Sequence, residues 1–113
     1  IKIDAQKNAA ATAYGTGATH ALLFTTATPP TTGAATNEVT GGTYARKALT
    51  WSPPSAGVMT ASATFNVPAG VTVRAVGVAS ASSGATVRDW VAVTEQAFAT
   101  AGTYVVTLTY TQS

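Results

Sequence analysis

Between Val58 and Val67 the chain alternates without a break. Met59, Ala61, Ala63, Phe65 and Val67 share one parity, and Thr60, Ser62, Thr64 and Asn66 share the other. Period two marks a strand with one face on a core and the other in water. The same pattern returns near the end of the chain, where Tyr104, Val106, Leu108 and Tyr110 oppose Val105, Thr107, Thr109 and Thr111. From Val71 to Ala79 the run is apolar but changes parity. Val71 and Val73 lie on one side and Val76 and Val78 on the other, which predicts a bulge near Arg74–Ala75 or a strand buried on both faces. From Thr86 to Thr94, Val87, Asp89, Val91 and Val93 alternate with Arg88, Trp90, Ala92 and Thr94. The residues from Glu95 to Gly102, Phe98 among them, read as a connection. Ala21–Thr25 is a short apolar run suited to a buried strand. Tyr44–Trp51 reads as a further strand, with Ala45, Leu49 and Trp51 on one face.

Turn-forming clusters separate these runs: Thr28–Gly33, Ser52–Gly57, Pro68-Ala69-Gly70 and Ser80–Gly84. The N-terminal stretch differs. From Asp4 to about Thr12 the alanines, Gln6 and Lys7 favour a short helix, with Asp4 as its N-cap and Gly15 and Gly17 as its stop. Six or seven strands at intervals of roughly 10 to 15 residues predict an all-β fold. The expected architecture is an antiparallel β-sandwich or barrel-like domain with a short N-terminal helix. At 113 residues the chain is one domain. Residues 1–19 form the helix or arm and 20–113 the sandwich.

Composition changes the picture in one respect. Charged residues make up 9% of the chain, where a typical soluble domain has about 25%. Thr and Ser must then cover much of the surface, and little charge repulsion keeps copies apart. That favours life inside an assembly. The cations Lys2, Lys7, Arg46, Lys47, Arg74 and Arg88 are scattered, with only Arg46 and Lys47 adjacent. No basic stripe of the nucleic-acid-binding kind exists. No apolar run reaches the length of a transmembrane helix. With no cysteine, disulfide and thiolate chemistry are absent. The first residue is Ile1 and no signal-peptide pattern follows it, which reads as a processed or partial chain.

Candidate chemistry is sparse. Gly15-Thr16-Gly17 lies after a helix and before a strand, the reverse of a dinucleotide loop. His20 is the only histidine and has no nominated nucleophile or orienting partner. The carboxylates are Asp4, Glu38, Asp89 and Glu95. They lack the clustered spacing of a calcium loop and read as ion-pair members, Glu38 with Arg46 and Asp89 with Arg74 or Arg88. No catalytic, cofactor-binding or metal-ligating residue is expected, and the chain is not read as an enzyme. Trp90, beside Arg88, reads as a core residue, an interface residue or a sugar-stacking surface. The two together are the candidate interface.

The densest cluster of specified residues is Asn37-Glu38-Val39-Thr40-Gly41-Gly42-Thr43-Tyr44-Ala45-Arg46, closing at Trp51. The glycine pair permits positive φ and a sharp turn into a strand. Asn37 can close its own turn, Glu38 can reach Arg46 or backbone N–H groups, and Tyr44 and Trp51 anchor the strand. Asn37, Glu38, Gly41, Gly42, Tyr44, Arg46 and Trp51 are therefore structural motif residues.

This run, with Thr32-Gly33 before it and Leu49-Thr50-Trp51 after it, resembles a family of small actinobacterial phage and prophage proteins usually labelled phage tail fibre or minor tail protein. Phe65–Gly70, Val73–Val78, Glu95–Phe98 and Ala101–Tyr104 are similar to its later blocks, so the resemblance spans about Leu22 to Tyr110. Family members often carry His and Asp where this chain has Thr25 and Thr28, so no metal or polar role transfers to that pair. The resemblance implies a virion structural protein, tail-associated or fibre-like, acting by protein–protein assembly. A capsid decoration (cement) protein and a host-surface carbohydrate-binding module are the alternatives. The implied location is the phage particle. The implied partners are other virion proteins and further copies of the chain, a trimer among the states considered. Nucleic acid and membrane are not among them, and a host glycan is the remaining candidate.

Overall fold

The computed structural model describes residues 3–112. Ile1, Lys2 and Ser113, which belong to the expected single domain, lie outside the described residues. A helix, α1 (Asp4–Gly17), precedes six strands: β1 (His20–Phe24), β2 (Lys47–Ala48), β3 (Val58–Val67), β4 (Val71–Ala79), β5 (Val87–Phe98) and β6 (Gly102–Thr111). They form two antiparallel sheets, one ordered β2-β1-β4-β5 and the other β3-β6. The two sheets pack face to face as a β-sandwich.

The interior follows from the alternation. Ala63, Phe65 and Val67 of β3 and Val106 of β6 meet Ala21 and Leu23 of β1 and Val73 and Val76 of β4, with Val39 completing the cluster. Phe65 is fully buried, which stabilises by roughly 1.5–3 kcal/mol relative to exposure. Polar residues on the opposite parity of β3 are all exposed. β1 and β4 also bury their other face. There Leu22, Phe24, Ala75, Ala79 and Val87 form a second cluster, with Ala35 and Trp90 packed against it. Ala35 belongs to the long connection between β1 and β2. Gly33 of that connection runs beside the start of β5, where its carbonyl accepts the Val87 N–H at 3.1 Å. The parity change along β4 thus has both expected causes. The strand is buried on both faces, and its pairing with β5 shifts register between Val73 and Ala75 and again between Val78 and Ala79.

Three boundaries differ from expectation. The helix runs to Gly17 rather than ending near Thr12, and Ile3, not Asp4, is the N-cap residue. Asp4 sits in the first turn, where its charge favours the positive end of the helix dipole. A Cβ on Gly15 would come within 3.2 Å of both Met59 Cε and Trp51 Cδ1, so this glycine serves close approach of the helix to the body rather than termination. Glu95–Phe98 belongs to β5: Phe98 lies opposite Val71 and its carbonyl accepts the Gly70 N–H at 2.7 Å. The strand expected over Tyr44–Trp51 shrinks to Lys47–Ala48, because a side chain takes over part of the ladder there, as described below.

Gly77 shows how tightly the outer cluster is filled. A Cβ there would sit 2.8 Å from Phe24 Cε2, 3.0 Å from the Asp89 carbonyl oxygen and 3.1 Å from Leu22 Cδ2. Gly77→Ala should overpack this face and cost about 1–3 kcal/mol. The check is a lower urea midpoint with an unchanged slope; an unchanged midpoint contradicts the packing described.

Candidate functional site

The motif residues converge on one buried ion pair. Arg46 is 9% exposed and is the one charged residue buried among those described. Its Nε donates to Glu38 Oε2 at 3.0 Å and its Nη2 to Glu38 Oε1 at 2.9 Å, a two-pronged contact. The rest of the guanidinium is used on the β4–β5 turn. Nη1 donates to the Ala81 carbonyl (3.2 Å) and Thr86 Oγ1 (3.1 Å), and Nη2 also to the Gly84 carbonyl (2.8 Å). The expected Glu38–Arg46 pair is present and also ties two distant connections together.

Tyr44 completes the network. Its hydroxyl donates to Glu38 Oε2 at 2.9 Å and accepts the Leu23 N–H at 3.0 Å. Its ring stacks 6.0 Å from that of Phe65. Beyond Leu23, the Glu38–Phe24 bridge resumes strand pairing, and the Val39 N–H reaches the Leu23 carbonyl at 3.0 Å. A phenol therefore stands where a strand residue's carbonyl would be. Gly41 and Gly42, at φ 100° and 56°, turn the backbone so that Tyr44 can reach inward. Asn37 also has positive φ, 64°, and its carbonyl accepts the Thr25 N–H at 2.9 Å. Trp51 lies apart from this network. Its Nε1 donates to the Ala18 carbonyl at 2.9 Å, fixing the end of α1.

A second cluster docks the helix. Tyr14 stacks on Tyr110 with ring centroids 4.1 Å apart and meets Trp51 edge-on at 5.9 Å. Its hydroxyl donates to Asp89 Oδ2 at 3.1 Å. Asn8 Oδ1 accepts the Gly57 N–H at 2.8 Å. Tyr14, Trp51, Asp89 and Tyr110 border an open cleft of about 360 Å³ between β4–β5 and β6, with Trp90 and Leu108 among its other lining residues. Asp89 was expected to pair with Arg74 or Arg88, but it is bonded to Tyr14. Arg74 pairs instead with Glu95, at 3.1 Å and exposed. Of the candidate interface, Arg88 is exposed and Trp90 half-buried, with Trp90 packed against the outer cluster and also lining the cleft. The sequence carried no signal for Asn8 or for the Tyr14–Tyr110 stack, which joins residues far apart in the chain.

The remaining candidates stay separate. His20 Nδ1 lies 2.9 Å from Thr19 Oγ1. Gly15-Thr16-Gly17 is the last turn of α1, with Thr16 Oγ1 donating to the Thr12 carbonyl. Among the described residues no three His, Cys, Asp or Glu side chains gather into a metal-holding group, and no helix is long and apolar enough to cross a membrane. The class defined is a two-sheet antiparallel β-sandwich with a docked N-terminal helix. No family model, curated protein or solved structure matches the chain.

Arg46→Ala should leave the Glu38 carboxylate without its charged partner, with only the Tyr44 hydroxyl donating to it, and the Ala81 carbonyl without the guanidinium donor, at a cost of about 3–5 kcal/mol. Arg46→Lys should recover little, since a single ammonium cannot reproduce the planar fork. Denaturant midpoints, with hydrogen exchange at residues 81–86, check both; a Lys variant as stable as the parent refutes this role.

Two phenols resist ionisation. The Tyr44 hydroxyl is pushed up by burial and then by the Glu38 charge, and that of Tyr14 by burial and then by the Asp89 charge. The unfolded chain therefore loses these protons first as pH rises. Their contribution is fully present below about pH 10, the ordinary tyrosine value, and is lost above it. Denaturation curves at increasing alkaline pH should show falling stability, and Tyr14→Phe should flatten the fall.

Proposed function

We propose that this chain is a structural component of a phage virion, tail-associated or fibre-like, that works by packing against neighbouring copies and neighbouring virion proteins. The observation that carries the assembly reading is the outer face of the β3–β6 sheet. Its cross-strand pairs are Thr60–Thr109, Ser62–Thr107, Thr64–Val105 and Asn66–Thr103. All of these residues are exposed, and neither strand carries a charge. A surface of short hydroxyls and methyls loses little side-chain entropy when covered and has no ionic groups to desolvate. The virion part of the reading is supported by the resemblance of the Asn37–Arg46 run and the later blocks to phage tail proteins.

The structural use found for every motif residue accords with a scaffold role. Glu38, Tyr44 and Arg46 are occupied with one another and with main-chain groups, which leaves them no free valence for a substrate. Tyr14 is stacked on Tyr110 and meets Trp51 edge-on, so its ring is engaged within the fold.

The test is to purify the phage or induced prophage particles that encode this chain and measure its abundance by quantitative mass spectrometry, with labelled antibody and imaging for its position. Tail-level stoichiometry and tail labelling are expected. Capsid-level stoichiometry moves it to the head as a decoration protein, and absence from particles overturns the reading.

A further inference from the structure

The sandwich leaves four sheet edges, and three are protected. At one, β2 is only two residues long. β5 carries Arg88, Asp89 and Glu95 and two register shifts. The outer edge of β3 is covered: Ser52 N–H donates to the Thr60 carbonyl at 2.8 Å, and Ser55 and Val58 exchange hydrogen bonds. Short strands, charges, bulges and covering segments are the usual ways to stop an edge from pairing with another chain. The fourth edge, β6, has none of them. It runs ten residues with no charge and no proline, in unbroken register with β3, and among the described residues no strand lies beyond it.

The free groups of that edge can be named. Thr60 turns its main-chain N–H and C=O toward Ser52 and so away from β6. Its partner across the ladder is Thr109. In an antiparallel pair, opposite residues either both face each other or both face away. Thr109 therefore points its main-chain groups outward, as do Thr103, Val105, Thr107 and Thr111, two residues apart along the strand. The hydrogen bond from Gln112 N–H to the Gly57 carbonyl, 2.9 Å, shows the even-numbered residues turned the other way.

We infer that β6 pairs antiparallel with β6 of a second copy, joining two β3-β6 ribbons into one continuous four-stranded sheet about a two-fold axis at Thr107. The inference rests on the assembly reading above and names its contact. A second copy fits because an uncharged edge is complementary to itself, and the two-fold makes both partners use the same surface. The register follows from parity. A slip of one residue would put Tyr104 and Tyr110 on the solvent side of the partner's ribbon, so the axis must pass through a residue. Centred on Thr107, the pairs are Thr103–Thr111, Val105–Thr109 and Thr107–Thr107 outside, with Tyr104–Tyr110 and Val106–Leu108 inside. Every outward-pointing residue then finds a partner. Centred on Val106, Thr111 would face Ala101, which lies before the strand.

The chain has no cysteine, so one introduced thiol reports the register. In a hydrogen-bonded antiparallel pair the two Thr107 Cα atoms would lie about 5.5 Å apart, within the range a disulfide spans. Two copies of residue 105 would lie more than about 13 Å apart along the strands. Under mild oxidation Thr107→Cys should form a covalent dimer and Val105→Cys should not. Thr107→Lys, placing like charges opposite each other, should abolish the dimer in analytical ultracentrifugation while leaving the circular dichroism of the parent. Equal cross-linking of the two cysteine variants, a Thr107→Lys protein that remains dimeric, or a parent that stays monomeric at high concentration overturns the inference. A monomer still incorporated in particles would leave the virion reading standing, and a dimer absent from particles would do the reverse.

Discussion

The buried contact between Arg46 and Glu38 is the constraint on which the rest of this fold depends. β1 and β4 are apolar on both faces, so the four-stranded sheet needs cover on the side away from β3 and β6. The connection from Thr25 to Arg46 supplies part of that cover, and the β4–β5 turn borders it. Neither segment has a regular ladder of its own. One guanidinium joins them, giving hydrogen bonds to a carboxylate, a hydroxyl and two carbonyls at once. Desolvating a charge is expensive unless its whole hydrogen-bonding capacity is used. Here the fork geometry of arginine meets that condition, and the same contacts hold the cover over Leu22 and Phe24.

Much of this was legible in the sequence where burial is one-sided. β3 and β4 begin and end where their patterns do, and the inward residues of β6 are those of its alternation. Legibility fails where tertiary contacts override local preference. The glycines near the end of α1 read as a stop because glycine is a poor helix former, yet Gly15 stays helical since Trp51 and Met59 lie against it. Glu95–Phe98 looks like a connection because polar residues break its alternation; the β5 edge is largely exposed on both faces there, so no pattern is imposed. Around Tyr44 the ladder is maintained by a side chain, and a reading based on backbone periodicity cannot register that.

The candidate site was legible as chemistry more than as geometry. The Glu38–Arg46 pair follows from two opposite charges flanking a glycine turn. Arg46's reach to Ala81, Gly84 and Thr86 does not, because two of those acceptors are main-chain carbonyls that any sequence possesses and the third is one threonine hydroxyl in a threonine-rich chain. The Asp89 pairing failed for a related reason. Counting charges nominates arginines as partners, but a helix residue, Tyr14, arrives from the far end of the chain. The scarcity of charge, by contrast, was informative twice: it gives the β3–β6 face its uniform hydroxyl surface, and it leaves the β6 edge without the residues that guard the β5 edge.

The phenol of Tyr44 has one further consequence. Thr40, Gly41, Gly42 and Thr43 are all exposed, and they leave the body at Val39 and re-enter it at Tyr44. Both ends are fixed independently of the loop, Val39 by its place in the core and its bond to Leu23, Tyr44 by its hydroxyl. Loop-closure entropy rises only slowly with length. The double-glycine turn is thus a natural place for added sequence, where a longer peptide could be displayed on the surface with the sheet edge beneath it still closed.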